Sequence, residues 1–210
     1  MSKDIYVGLI DSGCSFETFD KVAIKQLNKE IIYTKQEQVV LKHGDVIGSI
    51  LAQNNKINIY DVQVFEQNHS VSAHYLYKAL EYLSDKKVDV ISMSLGLLSN
   101  YQELQNICSY FVQKGTTLIS SFPRSGHEFV FPASYNEVIA VTSDGRCKDF
   151  EIRVLNEKSS LFGANPSSNE REVAGASVAV AKFTKVFCDY LTKGFSKEEA
   201  LNSIKKGYKI

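Results

Sequence analysis

Three side chains with the chemistry of acyl transfer stand in three separate segments of the chain. Asp11 follows an apolar run, His43 precedes a run of small and apolar residues, and Ser177 lies in a segment rich in alanine and valine. A serine hydroxyl is a weak nucleophile until a histidine accepts its proton, and the histidine needs a carboxylate that fixes its tautomer and stabilises the imidazolium. The three residue types together predict attack on a carbonyl carbon by Ser177, with His43 as base and Asp11 as its partner.

Each of these residues also has a purely structural interpretation. An Asp after a strand is commonly a turn residue or a helix cap, and a single histidine at the start of a helix is usually a capping or surface residue. Ser177 at the start of a helix is a candidate N-cap. Singly, these interpretations are favoured, whereas the combination of acid, base and nucleophile favours a joint site.

The elements that must position these side chains alternate along the chain. Apolar, β-branched runs predict strands, and helical spacing of leucines predicts helices between them. Such alternation predicts an α/β fold, a mostly parallel sheet with helices on both faces, in which ligands bind at the carboxyl ends of strands. A capping-box pattern at Ser196 and Glu199 predicts a last helix that Gly207 stops. The predicted strands are 5–10, 57–65, 88–93, 116–120 and 138–141, and the other predicted helices are 72–83 and 102–113.

The stretch 144–169 has poorer periodicity than the rest. It contains the turn dipeptides Asp144-Gly145 and Asn165-Pro166. We therefore expect a hairpin and irregular loops there, within a single domain that spans residues 1–210.

Composition excludes several classes of protein. The 210 residues, 44% of them hydrophobic, suffice for one substantial core, and 24 Lys and Arg balance 24 Asp and Glu. The balanced, interspersed charges argue against a nucleic-acid or membrane-surface binder, and no apolar run is long enough for a signal peptide or a membrane span. The cysteines form no C-x-x-C pair, which predicts free thiols and a cytoplasmic protein. They are Cys14, Cys108, Cys147 and Cys188.

The acid, the base and the nucleophile occur along the chain in the order Asp, His, Ser. In this order the sequence resembles the subtilisin-like serine proteases, which are also called subtilases or the peptidase S8 family. The resemblance implies a three-layer subtilisin-like fold and a serine endopeptidase whose catalytic residues are Asp11, His43 and Ser177. It also implies that Ser94, Leu95 and Gly96 line the cleft and pair with an extended substrate. The matching segments are 7–15, 43–51, 89–96, 131–141 and 175–177.

The chain departs from the family pattern near the oxyanion hole. The family usually carries an Asn just after the strand that here ends near Ser121, and counting back from Gly126 places Arg124 at that position. Arg124 is therefore predicted to donate to the oxyanion beside the backbone N–H of Ser177. The alternative is a rim residue that binds an acidic substrate side chain.

The chain also resembles compact subtilases that occur beside bacterial peptide-modification systems. It begins a few residues before its first strand, which leaves no room for a prodomain, and it lacks the acidic loop clusters of a calcium site, so no metal or cofactor is predicted. The resemblance implies removal of a leader from a ribosomally made precursor peptide, with a peptide as partner and neither nucleic acid nor membrane. Two alternatives stay open: an inactive peptide-binding module and a general intracellular turnover protease. Cleavage specificity and oligomeric state are not predicted.

Overall fold

A central sheet organises the protein. This computed structural model describes residues 3–36, 39–65, 70–124, 129–156 and 160–207, which form a nine-stranded sheet and five helices. The strand order is β3-β2-β4-β1-β5-β6-β7-β9-β8. The strands are β1 Ile5–Asp11, β2 Asp20–Leu27, β3 Glu30–Thr34, β4 Ile57–Gln63, β5 Val90–Met93, β6 Thr117–Ser121, β7 Val138–Ser143, β8 Ile152–Asn156 and β9 Leu161–Ala164. The helices are α1 His43–Leu51, α2 Ala73–Leu83, α3 Gln102–Gln113, α4 Ala176–Thr192 and α5 Lys197–Lys205.

The α/β fold class is confirmed, and each predicted strand is present with its ends shifted by no more than two residues. Helix α3 has the predicted bounds, and α2 begins one residue later because Ser72 is its N-cap. The capping box of Ser196 and Glu199 opens α5, and Gly207 follows that helix with a φ of +70°. The hairpin expected within 144–169 is present as the antiparallel pair β8 and β9.

The hairpin of β2 and β3 was not predicted. Its strands mix charged and apolar residues, and its turn residues Asn28 and Lys29 both have positive φ, 49° and 71°. Such two-residue turns usually contain glycine, which costs nothing at positive φ. The Asn-Lys pair therefore gave no recognisable hairpin signal.

Helices cover both faces of the sheet, as expected. Ile5, Val7 and Leu9 of β1 belong to the core shared with α1, α4 and α5, whereas Ile10 belongs to the core shared with α2 and α3. Strands β2 to β4 lie on one side of β1 and β5 to β9 on the other, so the strand order reverses at β1. The carboxyl end of β1, at Asp11, therefore lies where such sheets open a crevice.

Two neighbouring strands hold the turn that follows Asp11. The Cys14 N–H donates to Oδ2 of Asp61 in β4 over 2.7 Å, and Nε2 of Gln63 donates to the Ser12 carbonyl over 3.0 Å. The Lys21 ammonium of β2 donates to the Cys14 carbonyl over 2.7 Å. Side chains from β2 and β4 thus supply the hydrogen bonds that this turn does not make within itself.

Asp61 is a carboxyl inside the core, 1% exposed. Burial raises its pKa to about 6, and the hydrogen bond from the Cys14 N–H opposes that rise only in part. A buried acid with a raised pKa binds its proton more tightly in the folded state than in the unfolded state. Its contribution to stability is therefore lost as the pH rises from about 4 to about 6.

We predict that Asp61→Asn stabilises the protein relative to wild type at pH 8 but much less at pH 4.5. The amide oxygen still accepts the Cys14 N–H while the buried charge is absent, and the shift in pKa corresponds to about 3 kcal/mol. Urea unfolding at the two pH values measures this, with Glu30→Gln on exposed β3 as a control. An equal change in unfolding free energy at both pH values would contradict the prediction.

Candidate active site

An acid–base pair lies at the carboxyl end of β1. Nδ1 of His43 lies 2.7 Å from Oδ1 of Asp11, and the Ser12 N–H donates to the same oxygen over 2.7 Å. The Asp11 side chain is fully buried, whereas the His43 ring is 14% exposed. The ring therefore connects a buried carboxylate with the surface.

Close backbone approach brings His43 to Asp11. His43 is the first residue of α1, and the next N–H in that helix, from Gly44, donates to Oγ of Ser12 over 2.8 Å. A Cβ atom on Gly44 would clash with the carbonyl oxygen of Gly13, which itself has a φ of +89°. The helix end can rest directly on the turn after β1 only because both positions are glycine.

Two opposing effects set the protonation of His43. Burial lowers the pKa of the imidazole, but the hydrogen bond to Asp11 and the charge of that carboxylate outweigh it, so the pKa lies above its ordinary value. A neutral His43 with Asp11 as acceptor carries its proton on Nδ1 and has an unprotonated Nε2. That tautomer is the one a general base requires.

Ser177 is the second residue of α4 and not its N-cap, so the capping interpretation is wrong. The N-cap is Gly175, whose φ of +98° suits glycine, and its N–H donates to the Pro166 carbonyl over 2.9 Å. At this position the backbone N–H of Ser177 belongs to the first turn, where helix N–H groups lack an intrahelical acceptor. The half-buried hydroxyl therefore stands beside N–H groups that favour negative charge.

Helix packing places His43 and Ser177 on the same cleft. Apolar side chains of α1 and α4, among them Val46 and Val178, share one core. The cleft has a volume of about 420 Å³, and the predicted substrate-binding residues Ser94, Leu95 and Gly96 also line it. Asp11 lies behind His43, so the fold brings these six predicted site residues together.

The segment after β5 is fixed along one edge. The Leu95 carbonyl accepts from the hydroxyl of Ser121 over 3.1 Å, and Leu97 exchanges backbone hydrogen bonds of 2.7 and 2.8 Å with Phe131. In extended backbone, alternate residues direct their N–H and C=O groups to opposite edges. Leu95 and Leu97 use their backbone groups in bonds to Ser121 and Phe131. If the backbone between them is extended, the N–H and C=O groups of Ser94 and Gly96 point to the opposite edge.

Arg124 does not join this group in the structure. It is exposed three residues after β6, and it lines a separate depression with Phe122, Thr142 and Arg146. Its guanidinium makes no ion pair or hydrogen bond with another described residue. Ser125 and Gly126, on which the sequence count relied, lie outside the described residues.

Sequence reasoning missed a lysine of α4 that holds the loop before that helix. Lys182 of α4 is 8% exposed, and its ammonium donates to Oδ1 of Asn165 over 2.8 Å and to the Ser167 carbonyl over 2.7 Å. Burial lowers its pKa, and the charge of Asp149 opposes that effect. The signal in the sequence is the position of this lysine within a run of small apolar residues, which indicates an ammonium that is buried and hydrogen-bonded.

Within the described ranges, the structure holds few groups suited to other chemistry. No three His, Cys, Asp or Glu side chains there are grouped to hold a metal ion, and no helix there is long and apolar enough to cross a membrane. The four cysteines are buried free thiols, and burial raises the pKa of each. Such thiols are poor nucleophiles.

Two curated proteins are similar to this chain in sequence. The minor extracellular protease Epr of Bacillus subtilis (strain 168) is 26% identical over 182 residues, which cover 81% of this chain and 26% of that protein. The major intracellular serine protease of the same strain is 25% identical over 213 residues, which cover 84% of this chain and 65% of that protein. The chain therefore spans about a quarter of the first relative and less than two thirds of the second.

Solved structures share the fold at lower identity. Sphericase has a TM-score of 0.73 at 12% identity, covering 98% of this chain and 83% of that one. The prenylagaramide maturation protease PagA has a TM-score of 0.69 at 16% identity, covering 95% of this chain and 81% of that one. The subtilase family model matches residues 2–173, which is most of the chain and ends just before the α4 segment. By this match, the chain belongs to the subtilase family.

Proposed function

We propose that the protein is a serine endopeptidase that cleaves peptide bonds through an acyl-enzyme. The observation that carries the proposal is the 2.7 Å contact between Asp11 and His43 at the wall of a cleft that Ser177 also lines. Membership of the subtilase family supports the same activity.

In the proposed mechanism, Nε2 of His43 takes the proton of the Ser177 hydroxyl while Oγ forms a bond to the scissile carbonyl carbon. The carbonyl π electrons move to oxygen, and the backbone N–H of Ser177 donates to the resulting oxyanion. Collapse breaks the C–N bond, and His43 returns its proton to the leaving amine. A water molecule, deprotonated by His43, then attacks the acyl-enzyme in the same way, which releases Ser177 and the carboxylic acid product. Asp11 stabilises the imidazolium in both halves.

The substrate class is an extended peptide bound along Ser94, Leu95 and Gly96. The inward bonds of Leu95 and Leu97 support this, because they leave alternate backbone groups of an extended segment available for a substrate strand. Such main-chain pairing binds a peptide without requiring a particular sequence. Specificity must then come from the side chains that line the cleft.

The specific role that we propose is cleavage of a leader from a precursor peptide in the cytoplasm. A solved structural neighbour is the prenylagaramide maturation protease PagA, and a curated relative is a major intracellular serine protease. The buried free thiols fit a reducing compartment. We propose that the protein needs no metal or cofactor, since the mechanism uses only side chains and backbone.

A peptide library digested by wild type and by Ser177→Ala tests this role, with the products identified by mass spectrometry. Cleavage at a few related sequences supports leader removal. Cleavage at many unrelated sites supports a general turnover protease instead, and peptide binding without Ser177-dependent cleavage supports an inactive binding module.

We predict that Ser177→Ala lowers kcat/KM by about 10⁶-fold, because the nucleophile is lost while the cleft remains. A fluorophosphonate probe should label wild type and the surface variant Ser109→Ala but not Ser177→Ala. Labelling that persists in Ser177→Ala would assign the nucleophile to another residue.

We predict that Asp11→Asn lowers kcat about 10⁴-fold near neutral pH, because His43 loses the partner that fixes its tautomer. The pH profile adds a second readout. Wild-type activity needs neutral His43 and is lost as the pH falls through its raised pKa; without the Asp11 charge, that acid limb should move to lower pH.

The matched control is Asp45→Asn, since that carboxylate accepts hydrogen bonds from Ser15 and not from His43. Asp45→Asn should leave the acid limb where wild type has it. An unchanged limb in Asp11→Asn would mean that another group controls the profile.

We predict that Arg124→Ala lowers kcat by about 10²- to 10³-fold with little change in KM, the effect of losing one oxyanion donor. Because Arg124 lines the neighbouring depression, this role requires its side chain to change rotamer toward the cleft. Arg124→Asn should recover part of the turnover. A raised KM at unchanged kcat would instead identify a substrate-binding rim residue; Ser121 is a poor substitute donor because its hydroxyl already donates to Leu95.

A further inference from the structure

The described side chains that line the cleft include a negative charge with no positive charge to balance it. Among its described lining residues, Glu172 is the one carboxylate, and none is Lys or Arg. Glu172 is exposed, and its carboxylate forms no hydrogen bond or ion pair with another described residue. His43, the other titratable group lining the cleft, is already paired with Asp11.

The backbone that carries Glu172 is anchored on both sides. The Val173 N–H donates to the Glu170 carbonyl over 3.0 Å, and the hydroxyl of Ser168 donates to the Val173 carbonyl over 2.7 Å. Five residues after Glu172, Ser177 lines the same cleft. The backbone that carries Glu172 is therefore held on the same cleft that Ser177 lines.

The cleft that Glu172 lines also has apolar surface that suits the aliphatic part of a Lys or Arg side chain. Phe65, Val71, Leu95 and Val173 supply apolar surface to the cleft. Lys and Arg side chains lay their methylene stems along such surface and keep the charged group near polar atoms. A carboxylate without a partner beside apolar walls is complementary to that combination.

We propose that Glu172 is a specificity-determining residue that selects substrates with Lys or Arg close to the scissile bond. This inference rests on the proposed peptidase function and names its substrate class more narrowly. The substrate cation pairs with Glu172 by donating N–H hydrogen bonds to its carboxylate oxygens. Because the pair is solvent-accessible, salt weakens the preference.

The test uses matched peptides in which each position flanking the cleaved bond carries Lys, norleucine or Glu in turn. At one position, wild type should cleave the Lys peptide about fivefold better in kcat/KM than the norleucine peptide, the ratio that an exposed ion pair of about 1 kcal/mol produces. Glu172→Gln should abolish that ratio, and Glu172→Lys should make the Glu peptide the better substrate. Raising the salt concentration to 1 M should reduce the wild-type ratio.

Glu170→Gln is the matched control. Glu170 is an exposed acid two residues earlier that lines a different depression, so its loss should leave both the ratio and the activity unchanged. A wild-type ratio near one at every position overturns the proposal, as does a ratio that survives in Glu172→Gln or is lost equally in Glu170→Gln.

Failure of the underlying function is recognised separately. If wild type cleaves no peptide, the endopeptidase assignment fails, and fluorescence anisotropy of the same peptides on the Ser177→Ala protein then decides the role of Glu172. Tighter binding of the Lys peptide that Glu172→Gln abolishes supports the proposal. Equal binding of the Lys and norleucine peptides overturns it.

Discussion

The contact between Asp11 and His43 governs the design of this protein. A carboxylate with no exposed surface is tolerated only when hydrogen bonds replace its lost hydration, and leaving a buried polar group without its partner costs about 1–3 kcal/mol, or more for a charged group. Asp11 receives the Ser12 N–H and the His43 ring on one oxygen. The same bonds hold the neutral ring in the tautomer with an unprotonated Nε2, which is the state that the proposed mechanism requires of a base.

Two glycines let helix α1 reach that position. A Cβ atom on Gly44 would meet the backbone of Gly13, and one on Gly48 would meet the side chains of Cys14 and Phe16. The two positions are four residues apart and therefore lie on the same side of α1. That side rests on the turn after β1 while the apolar side packs on α4, and this packing fixes the distance between the two helix starts that carry His43 and Ser177.

Sequence patterns found the parts of the molecule in which local chemistry and the fold agree. Helix α3, the capping box of α5 and the central strands follow from periodicity and capping, and the order of acid, base and nucleophile led to the residues around the cleft. Sequence patterns did not predict the features that depend on a tertiary contact. Asp61 interrupts an apolar strand because the turn at Cys14 needs an acceptor, and that need arises only after the strands pair.

Helix starts and loop ends show the same limit. The sequence makes Ser177 a candidate N-cap, whereas in the structure the N-cap is Gly175, whose positive φ is a backbone property that a side-chain pattern does not predict. Arg124 was placed by counting along a loop, and counting gives the position of a residue without the direction of its side chain. Its location beside Phe122 and Arg146 follows from the path of the chain after β6.

Under the proposed function, the buried hydrogen-bonded groups and the exposed charges of the molecule have different roles. Asp11 and Lys182 are each hydrogen-bonded inside the protein, and replacing either with an apolar residue leaves a buried polar partner unsatisfied, which lowers stability. Glu172 is exposed and without a partner among the described residues, so its replacement costs little stability. Charge at the rim can therefore change the preferred substrate while the buried network keeps the geometry of the reaction. Under the proposed function, a single exposed side chain is enough to change the preferred substrate, since the segment after β5 would pair with the peptide backbone whatever side chain the peptide carries.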